Sequence, residues 1–449
     1  MAAGPPGQQA TALRRSIGPV ALVFFIVGDI LGAGIYALTG RVADQVGGAA
    51  WLPFLLAFCL AALTAASYAE LVGRYPRAAG AALYVNRAFH TPFLTFMIAF
   101  TVLMSGVTSA AAAARAFGGN YLAEFITVPV ALAALGFLGL ITAVNLIGIS
   151  ESIKVNIVLT VVEATGLFVI IAIGGYALAT GEGEPARALE LDTSGTVWFA
   201  ILGGTALAFY ALLGFEDSVN LAEECRNPRR DFPRALFLGL AITGTVYLAV
   251  AFTSTMLVSP AVLAESSGPL LEVVKVAGLE FPPKLFALIA LLAVGNTALI
   301  NMLMASRLVY GMASEGIVPA ALGRVGGRQT PYVAIAATVG LAAFLVLTGD
   351  LSALAETTVF LILLVFAAVN ISVLVLRRTA VEHDSYRAPT WVPWLGAVTC
   401  LALASPLADR PGTVYLRAAL LLGLGAVIWV GNRWHMGRSG PPGQEVQAP

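Results

Sequence analysis

Charge is scarce in this 449-residue chain: Asp, Glu, Lys and Arg make up only 11% of it, against about a quarter in ordinary soluble domains. The 25 basic residues balance the 25 acidic ones, so the net charge is zero and no basic face for nucleic acid is implied. Histidine is scarcer still. His90, His383 and His435 are the three present, each between apolar runs or near a terminus, so a buried His-ligated metal is not expected. Cysteine also numbers three; Cys59, Cys225 and Cys400 are scattered along apolar runs, which argues against a disulfide framework or a thiolate metal cluster. No HExxH motif and no nucleophile-base pair can be read within those runs, so a membrane-embedded enzyme would lack its chemistry, and neither a metal nor a cofactor is expected.

What the chain has in abundance is apolar sequence. Hydrophobic residues make up 59% and the mean hydropathy is +0.87, which places it among integral membrane proteins. A helical span needs about 20 apolar residues. Twelve runs of about that size are legible, near 17–40, 49–70, 91–115, 129–150, 155–180, 196–224, 235–258, 284–307, 331–349, 352–376, 391–408 and 413–433. The first is too long for the core of a signal peptide and is expected to stay in the protein. Assigning the bases to alternate sides of these spans puts seven on one side, Arg41, Arg115, Arg187, Lys275, Lys284, Arg410 and Arg417, and the remaining eighteen of the 25 on the side of the N-terminus. By the positive-inside rule both termini are expected to be cytoplasmic in a multi-pass protein of the cell membrane. Residues 1–16 and 434–449 are expected to be cytoplasmic tails, and no inter-span segment is large enough for a separate soluble domain.

The first run contains "VGDILGAGIYALTG" (27–40), with an acid, Asp29, followed by Gly32 and Gly34. Twelve residues into the run, Asp29 is expected roughly 18 Å deep at about 1.5 Å per residue, near the bilayer centre. The glycines permit close helix packing; they also permit an unwound stretch around Gly32-Ala33-Gly34, which is tolerated at membrane depth only where it lines a cavity. An echo in the sixth run favours the second reading: "FYALLGFEDSVNLAEE" (209–224) has Gly214 followed at once by Glu216 and Asp217. Two interrupted helices at corresponding positions of two halves are the sequence mark of an inverted-repeat transporter with its site at the midplane.

Four collinear segments carry a family resemblance: "GDILGAGIYALTG", "SYAELVGRYPRAAGAALYVNRAF" (67–89), "FYALLGFEDSVNLAEECRNPRRDFPRAL" (209–236) and "ASRLVYGMASEGIVPAALGRV" (305–325). They resemble the amino acid–polyamine–organocation permeases, with similarity through helices 1 to 10, and the AEE-x-x-NPRR-x-x-PRA tail of helix 6 is the most specific part. The resemblance implies an all-α membrane protein of LeuT type: a 5+5 inverted repeat over 17–376, discontinuous helices 1 and 6, and helices 11 and 12 over 391–433. It implies secondary transport of amino acids or related amines by alternating access, expected to be proton-coupled with sodium as the other candidate ion. An exchanger is the alternative, and a non-transporting sensor a further one.

By position, the resemblance puts a substrate carboxylate on the amides of Gly32, Ala33 and Gly34, where the positive end of a half-helix favours it physically as well. It puts the substrate amino group on the carbonyls of Ile30, Phe209 and Ala211 beside the Gly214 break, with Tyr210 as an aromatic gate. Relatives often have Ser where this chain has Ala33, so backbone donors alone are expected there. The matching position to Asp29 is polar in some arginine/agmatine-exchanging relatives, which points Asp29 at the amine of the substrate or at a proton. Glu216 falls in the GFE element used for gating and proton sensing; Asp217, about 100° further round an ideal helix, is expected to play a different part. Glu163 departs from the pattern, standing where several proton-coupled relatives have a lysine, and is expected to be the coupling residue.

All Lys and Arg fall in loops or at span ends in this reading, so no basic side chain is expected to pair with Asp29, Glu163, Glu216, Asp217 or Glu356. Intramembrane acids without such a partner mark functional sites. Thr101, Met104, Ser105, Asn296, Asn301 and Asn370 are lesser candidates, polar groups that more often bond helix to helix. Glu70, Arg74, Arg77 and the arginines of 226–234 are expected in cytoplasmic charge networks.

Overall fold

The structure is a computed structural model that describes residues 17–76, 80–147, 153–193, 196–277, 281–326, 330–379 and 385–439, the side chains of 153–157 and 435–439 excepted. The tail 1–16, Arg77, Arg328, His383 and residues 440–449 lie outside the described residues. Among the described residues the named elements are all helices, in the order α1 (Pro19–Ile30), α2 (Ala33–Val46), α3 (Trp51–Arg74), α4 (Gly80–Phe89), α5 (Pro92–Phe117) and α6 (Asn120–Ala123). There follow α7 (Val130–Ile147), α8 (Ile153–Thr180), α9 (Val197–Ala211), α10 (Pro228–Leu257), α11 (Pro260–Glu265) and α12 (Pro269–Val276). The last are α13 (Pro283–Ser314), α14 (Tyr332–Thr348), α15 (Leu351–Leu376), α16 (Trp391–Ala404) and α17 (Gly412–Ser439).

Among the described residues, 8 helices are long and apolar enough to cross a membrane: α3, α5, α7, α8, α10, α13, α15 and α17. A ninth candidate is the pair α1 and α2, bent by 44° at its break, and α9, α14 and α16 are shorter apolar helices. Large apolar side chains stand exposed along α7 and α17, among them Leu132, Leu140, Leu416, Leu420 and Val427. Water would penalise such a surface and hydrocarbon does not. This is a multi-pass membrane protein.

The break in helix 1 is shorter than the sequence implies: Leu31 and Gly32 alone interrupt it, and Ala33 and Gly34 already belong to the first turn of α2. At its other end the last helix outruns its expected limit, with residues 434–439 continuing α17 rather than beginning a tail.

The interior helices are tied by polar pairs as well as by packing. Asn370 of α15 accepts from Ser67 Oγ (2.6 Å) and donates to Thr64 Oγ1 (3.2 Å), both on α3. About one turn beyond Ser67 along α3, buried Glu70 accepts a fork from Arg377, at 2.9 Å from Nε and 2.6 Å from Nη2. Arg74 stands 3.5 Å from the same carboxylate, and the Ala388 amide donates to it at 3.0 Å. This bidentate pair fastens the end of α15 and the strap leading to α16 onto α3. Glu70 and Arg74 thus do take part in a charge network.

One expectation fails at the opposite end of α15. Arg410, in the connection between α16 and α17, is only 8% exposed, and its Nη1 donates to the Glu356 carbonyl at 3.2 Å. A basic side chain therefore does reach Glu356, because the 405–411 connection folds inward over the start of α15, which span counting cannot foresee. Burial pushes the Arg410 guanidinium down to about 10, against the opposing pull of Glu356.

Candidate substrate site

The breaks in helices 1 and 6 meet. α1 ends with the Leu31 amide on the Val27 carbonyl (2.8 Å), and α9 ends with the Leu212 amide on the Phe209 carbonyl (3.1 Å). Beyond Ala211 the chain runs through turns at 212–216 and then a 3-10 helix, Asp217–Glu224. Gly214 has φ +123°, and a Cβ there would lie 2.5 Å from the Asp29 carbonyl oxygen and 2.7 Å from its carbon. Conformation and close approach both demand glycine. Gly34 is pressed against Ala211, where a Cβ would come within 2.7 Å of the Ala211 Cβ. Gly32 has an extended backbone open to any residue; what excludes a side chain there is Thr297 of α13, whose hydroxyl occupies the space.

Between these contacts opens a cavity of about 470 Å³, within the usual size of small-molecule sites. Asp29, Ile30, Gly32, Ala33, Gly34, Tyr210, Ala211, Gly214, Glu216 and Asp217 all line it. Two breaks 182 residues apart in sequence thus supply most of one wall. α5 contributes Ser105, Gly106 and Ser109, α15 contributes Thr358 and Ile362, and α13 contributes Thr297, Asn301, Met304 and Leu308 at helical spacing. Tyr68, stacked edge-on to Phe215 (6.2 Å) and Phe366 (5.9 Å), closes the cavity beneath the second break.

The lining groups are already partly engaged. The Ala33 amide donates to Thr297 Oγ1 at 3.0 Å, and the Ile30 carbonyl accepts from the Tyr247 hydroxyl at 2.7 Å. The Tyr210 hydroxyl lies 3.1 Å from Ser109 Oγ, which fixes the ring across the cavity. Glu216 Oε2 accepts from the Gly214 amide at 2.9 Å, so this carboxylate caps the turn that starts the second half of helix 6.

Three expectations shift. Phe209 is fully buried against Phe366 (6.1 Å), its carbonyl accepts from Leu212, and it is not part of the cavity wall. Asp217 and Glu216 face the same cavity: the segment is 3-10 with Glu216 ahead of it, so the 100° separation of an α-helix does not apply. Arg307 also lines this cavity, because α13 continues to Ser314 rather than ending at 307. Among the described residues, the acids there share their space with Arg307, where the sequence implied no cation.

Glu163 lies apart. It is fully buried in α8; its Oε1 accepts from Asn296 Nδ2 at 3.0 Å and its carbonyl from the Tyr36 hydroxyl at 2.6 Å. The Tyr36 carbonyl in turn accepts from Tyr121 at 2.7 Å. Glu163 is thereby tied through Tyr36 to α2, whose first turn forms the cavity wall. Among the described residues no three His, Cys, Asp or Glu side chains gather as a metal site would require.

With this geometry in place, comparison with known proteins decides the family. Residues 17–414 match the amino acid permease family. The chain belongs to that family. It falls within the amino acid–polyamine–organocation superfamily, whose members are transporters rather than enzymes. An uncharacterised transporter of Mycobacterium tuberculosis is 30% identical over 422 residues, which cover 93% of this chain and 91% of the relative. The chloroplastic cationic amino acid transporter 9 of Arabidopsis thaliana is 28% identical over 357 residues, covering 72% of this chain and 60% of its own. A branched-chain amino acid permease of Bacillus subtilis is 25% identical over 417 residues, covering 87% and 88%. This permease is an amino acid transporter of a multi-pass membrane class.

The sequence pointed to the glycines and acids that line this cavity and passed over Thr297, Ser109 and Tyr68. Thr297 stands one turn before Asn301, and that spacing was the available signal; nothing local marks Tyr68, an aromatic among many.

Proposed function

We propose that this permease is a secondary active transporter of amino acids or related amines, cationic ones foremost, working by alternating access around the paired helix breaks and coupled to protons. The observation that carries this reading is the cavity itself, lined both by the first turn of α2 and by Asp29, Glu216 and Asp217. A zwitterionic substrate needs both: amides at a helix N-terminus for its carboxylate and anionic or carbonyl oxygens for its amino group. Among the described lining residues, Asp29, Glu216 and Asp217 against Arg307 suit a substrate with a second positive charge.

In this reading the bent pair, α9 with its 3-10 continuation, α14 and α16 join the 8 long helices to make twelve crossings, arranged as a LeuT-type 5+5 repeat over 17–376 with helices 11 and 12 over 391–433. Both termini face the cytoplasm, and the protein resides in the cell membrane. The cavity extends from the breaks past Gly80, Asn220 and Arg307, toward the face richer in Lys and Arg, so this conformation is open to the inside. Glu163 carries the coupling proton. Its bonds to Asn296 and Tyr36 give a change of charge there a direct mechanical path to α2.

The test is thermal shift of the purified protein with amino acids and polyamines, followed by proteoliposome uptake under imposed proton and sodium gradients. A ligand at a hundredfold excess over its Kd stabilises by about 2.7 kcal/mol. Arginine or lysine shifting the melt, with uptake driven by an inward proton gradient, is the expected result. Asp29→Asn should then cut cationic uptake and spare neutral substrates. No shift with any amino acid, or uptake indifferent to both gradients, overturns the reading.

A further inference from the structure

Every α-helix starts with amides that have no acceptor within the helix, and a side chain at the N-cap ordinarily takes one of them. The helix that opens on the cavity cannot do this for itself. Its N-cap is Gly32, with no side chain, and its first residue is Ala33, with no hydroxyl. The missing cap comes from α13: Thr297 Oγ1 accepts from the Ala33 amide at 3.0 Å and donates back to the Ala293 carbonyl at 3.3 Å. That hydroxyl sits so close to Gly32 that no Cβ would fit between them, and Thr297 is itself part of the cavity wall. One turn on, Asn301 donates to the Thr297 carbonyl at 2.9 Å and lines the same cavity.

We propose that Thr297 is a positioning and specificity residue of the site, one that caps the second half of helix 1 in trans and keeps its first turn set to receive a carboxylate. This rests on the reading of the cavity as an amino acid site. The hydroxyl holds the Ala33 amide in place, and the first turn it fixes includes Gly34, which also lines the cavity. The long bond to Ala293 is the weaker of its two, so the hydroxyl proton can turn from that carbonyl to an arriving carboxylate oxygen. A methyl group in place of the hydroxyl removes the cap and that donor while preserving shape.

The experiment measures binding by thermal shift and uptake kinetics with L-arginine and L-leucine, one cationic and one branched-chain probe, in the full-length protein. Thr297→Val should weaken binding of whichever probe the wild type takes by about tenfold, seen in KM more than in kcat. Thr297→Ser, which keeps the hydroxyl, should stay within about twofold. Adding Ala33→Ser to Thr297→Val restores a hydroxyl from the other side of the break and should recover most of the loss. The ligand-free melting midpoint reports folding separately, and if Thr297→Val does not fold, Thr297→Ala takes its place in the same comparison. Wild-type affinity in the hydroxyl-free variant overturns the proposal, as does an equal loss in Thr297→Ser, which would make the side chain packing alone. A wild type that binds neither probe nor any other amino acid removes the amino acid reading and this inference with it; a wild type that binds while all variants match it removes this inference only.

Discussion

Gly214→Ala perturbs a point where the two broken helices touch backbone to backbone. At φ +123° a residue with a Cβ is held in a sparsely allowed region at about 1–3 kcal/mol. The added methyl would also lie 2.5 Å from the Asp29 carbonyl oxygen and 3.1 Å from the Ile30 amide. Those are main-chain atoms that cannot swing aside as a flexible side chain does, so overpacking adds about 1–3 kcal/mol. Together the cost is roughly 2–6 kcal/mol, a large part of the 5–15 kcal/mol by which folded proteins exceed their unfolded states. In a chain of 449 residues, each kcal/mol corresponds to about one degree of melting midpoint, so a fall of roughly 2–6 °C is expected. Relief by separating the breaks would also widen the site, and ligand-induced stabilisation should shrink with it. Gly340→Ala, in α14 with nothing within 4 Å of the added carbon, is the matched control and should leave the midpoint close to wild type. A Gly214→Ala protein that melts and transports as the wild type does would refute the account of the paired breaks.

Arg377→Ala removes the bidentate partner of buried Glu70 and leaves it Arg74 and the Ala388 amide, so the cost should fall below the about 3–5 kcal/mol of a fully unpaired buried charge, read as a lower melting midpoint; removing both charges in Glu70→Gln/Arg377→Met should cost less than the sum of the single changes. Glu163→Gln should abolish the dependence of uptake on an imposed proton gradient while arginine still shifts the melt, and persistence of that dependence counts against Glu163 as the coupling group. Arg410, held down to about 10 by burial, is charged in both folded and unfolded chains below that pH and contributes no pH dependence there. Above about pH 10 the folded protein releases the proton while the unfolded chain keeps it, so stability relative to Arg410→Gln should rise as pH climbs from about 10 to about 12, and a flat difference would contradict the burial.

Much of this protein was decided locally. Apolar runs long enough to cross a bilayer announce membrane helices because no other element satisfies its own backbone in lipid, and the runs holding α3, α5, α10, α13 and α15 appear as long helices. Gly32, Gly34 and Gly214 beside the acids Asp29, Glu216 and Asp217 marked the site, since glycine and charge are both anomalous at that depth. Which atoms those residues meet depended on helices far away in sequence. Thr297, 264 residues from the amide it caps, and Tyr247, which takes the Ile30 carbonyl, look like ordinary polar residues in apolar helices until α13 and α10 are packed against the break. Phe209 turned into the core, and Arg307 and Arg410 turned inward, for the same reason. The sequence alone determines which segments enter the membrane and where a helix is free to break, because these follow from local hydropathy and backbone freedom. The partner of each exposed amide, carbonyl and charge was set only by tertiary structure, since hydrogen bonds and ion pairs act over about 3–4 Å between groups that only packing brings that close.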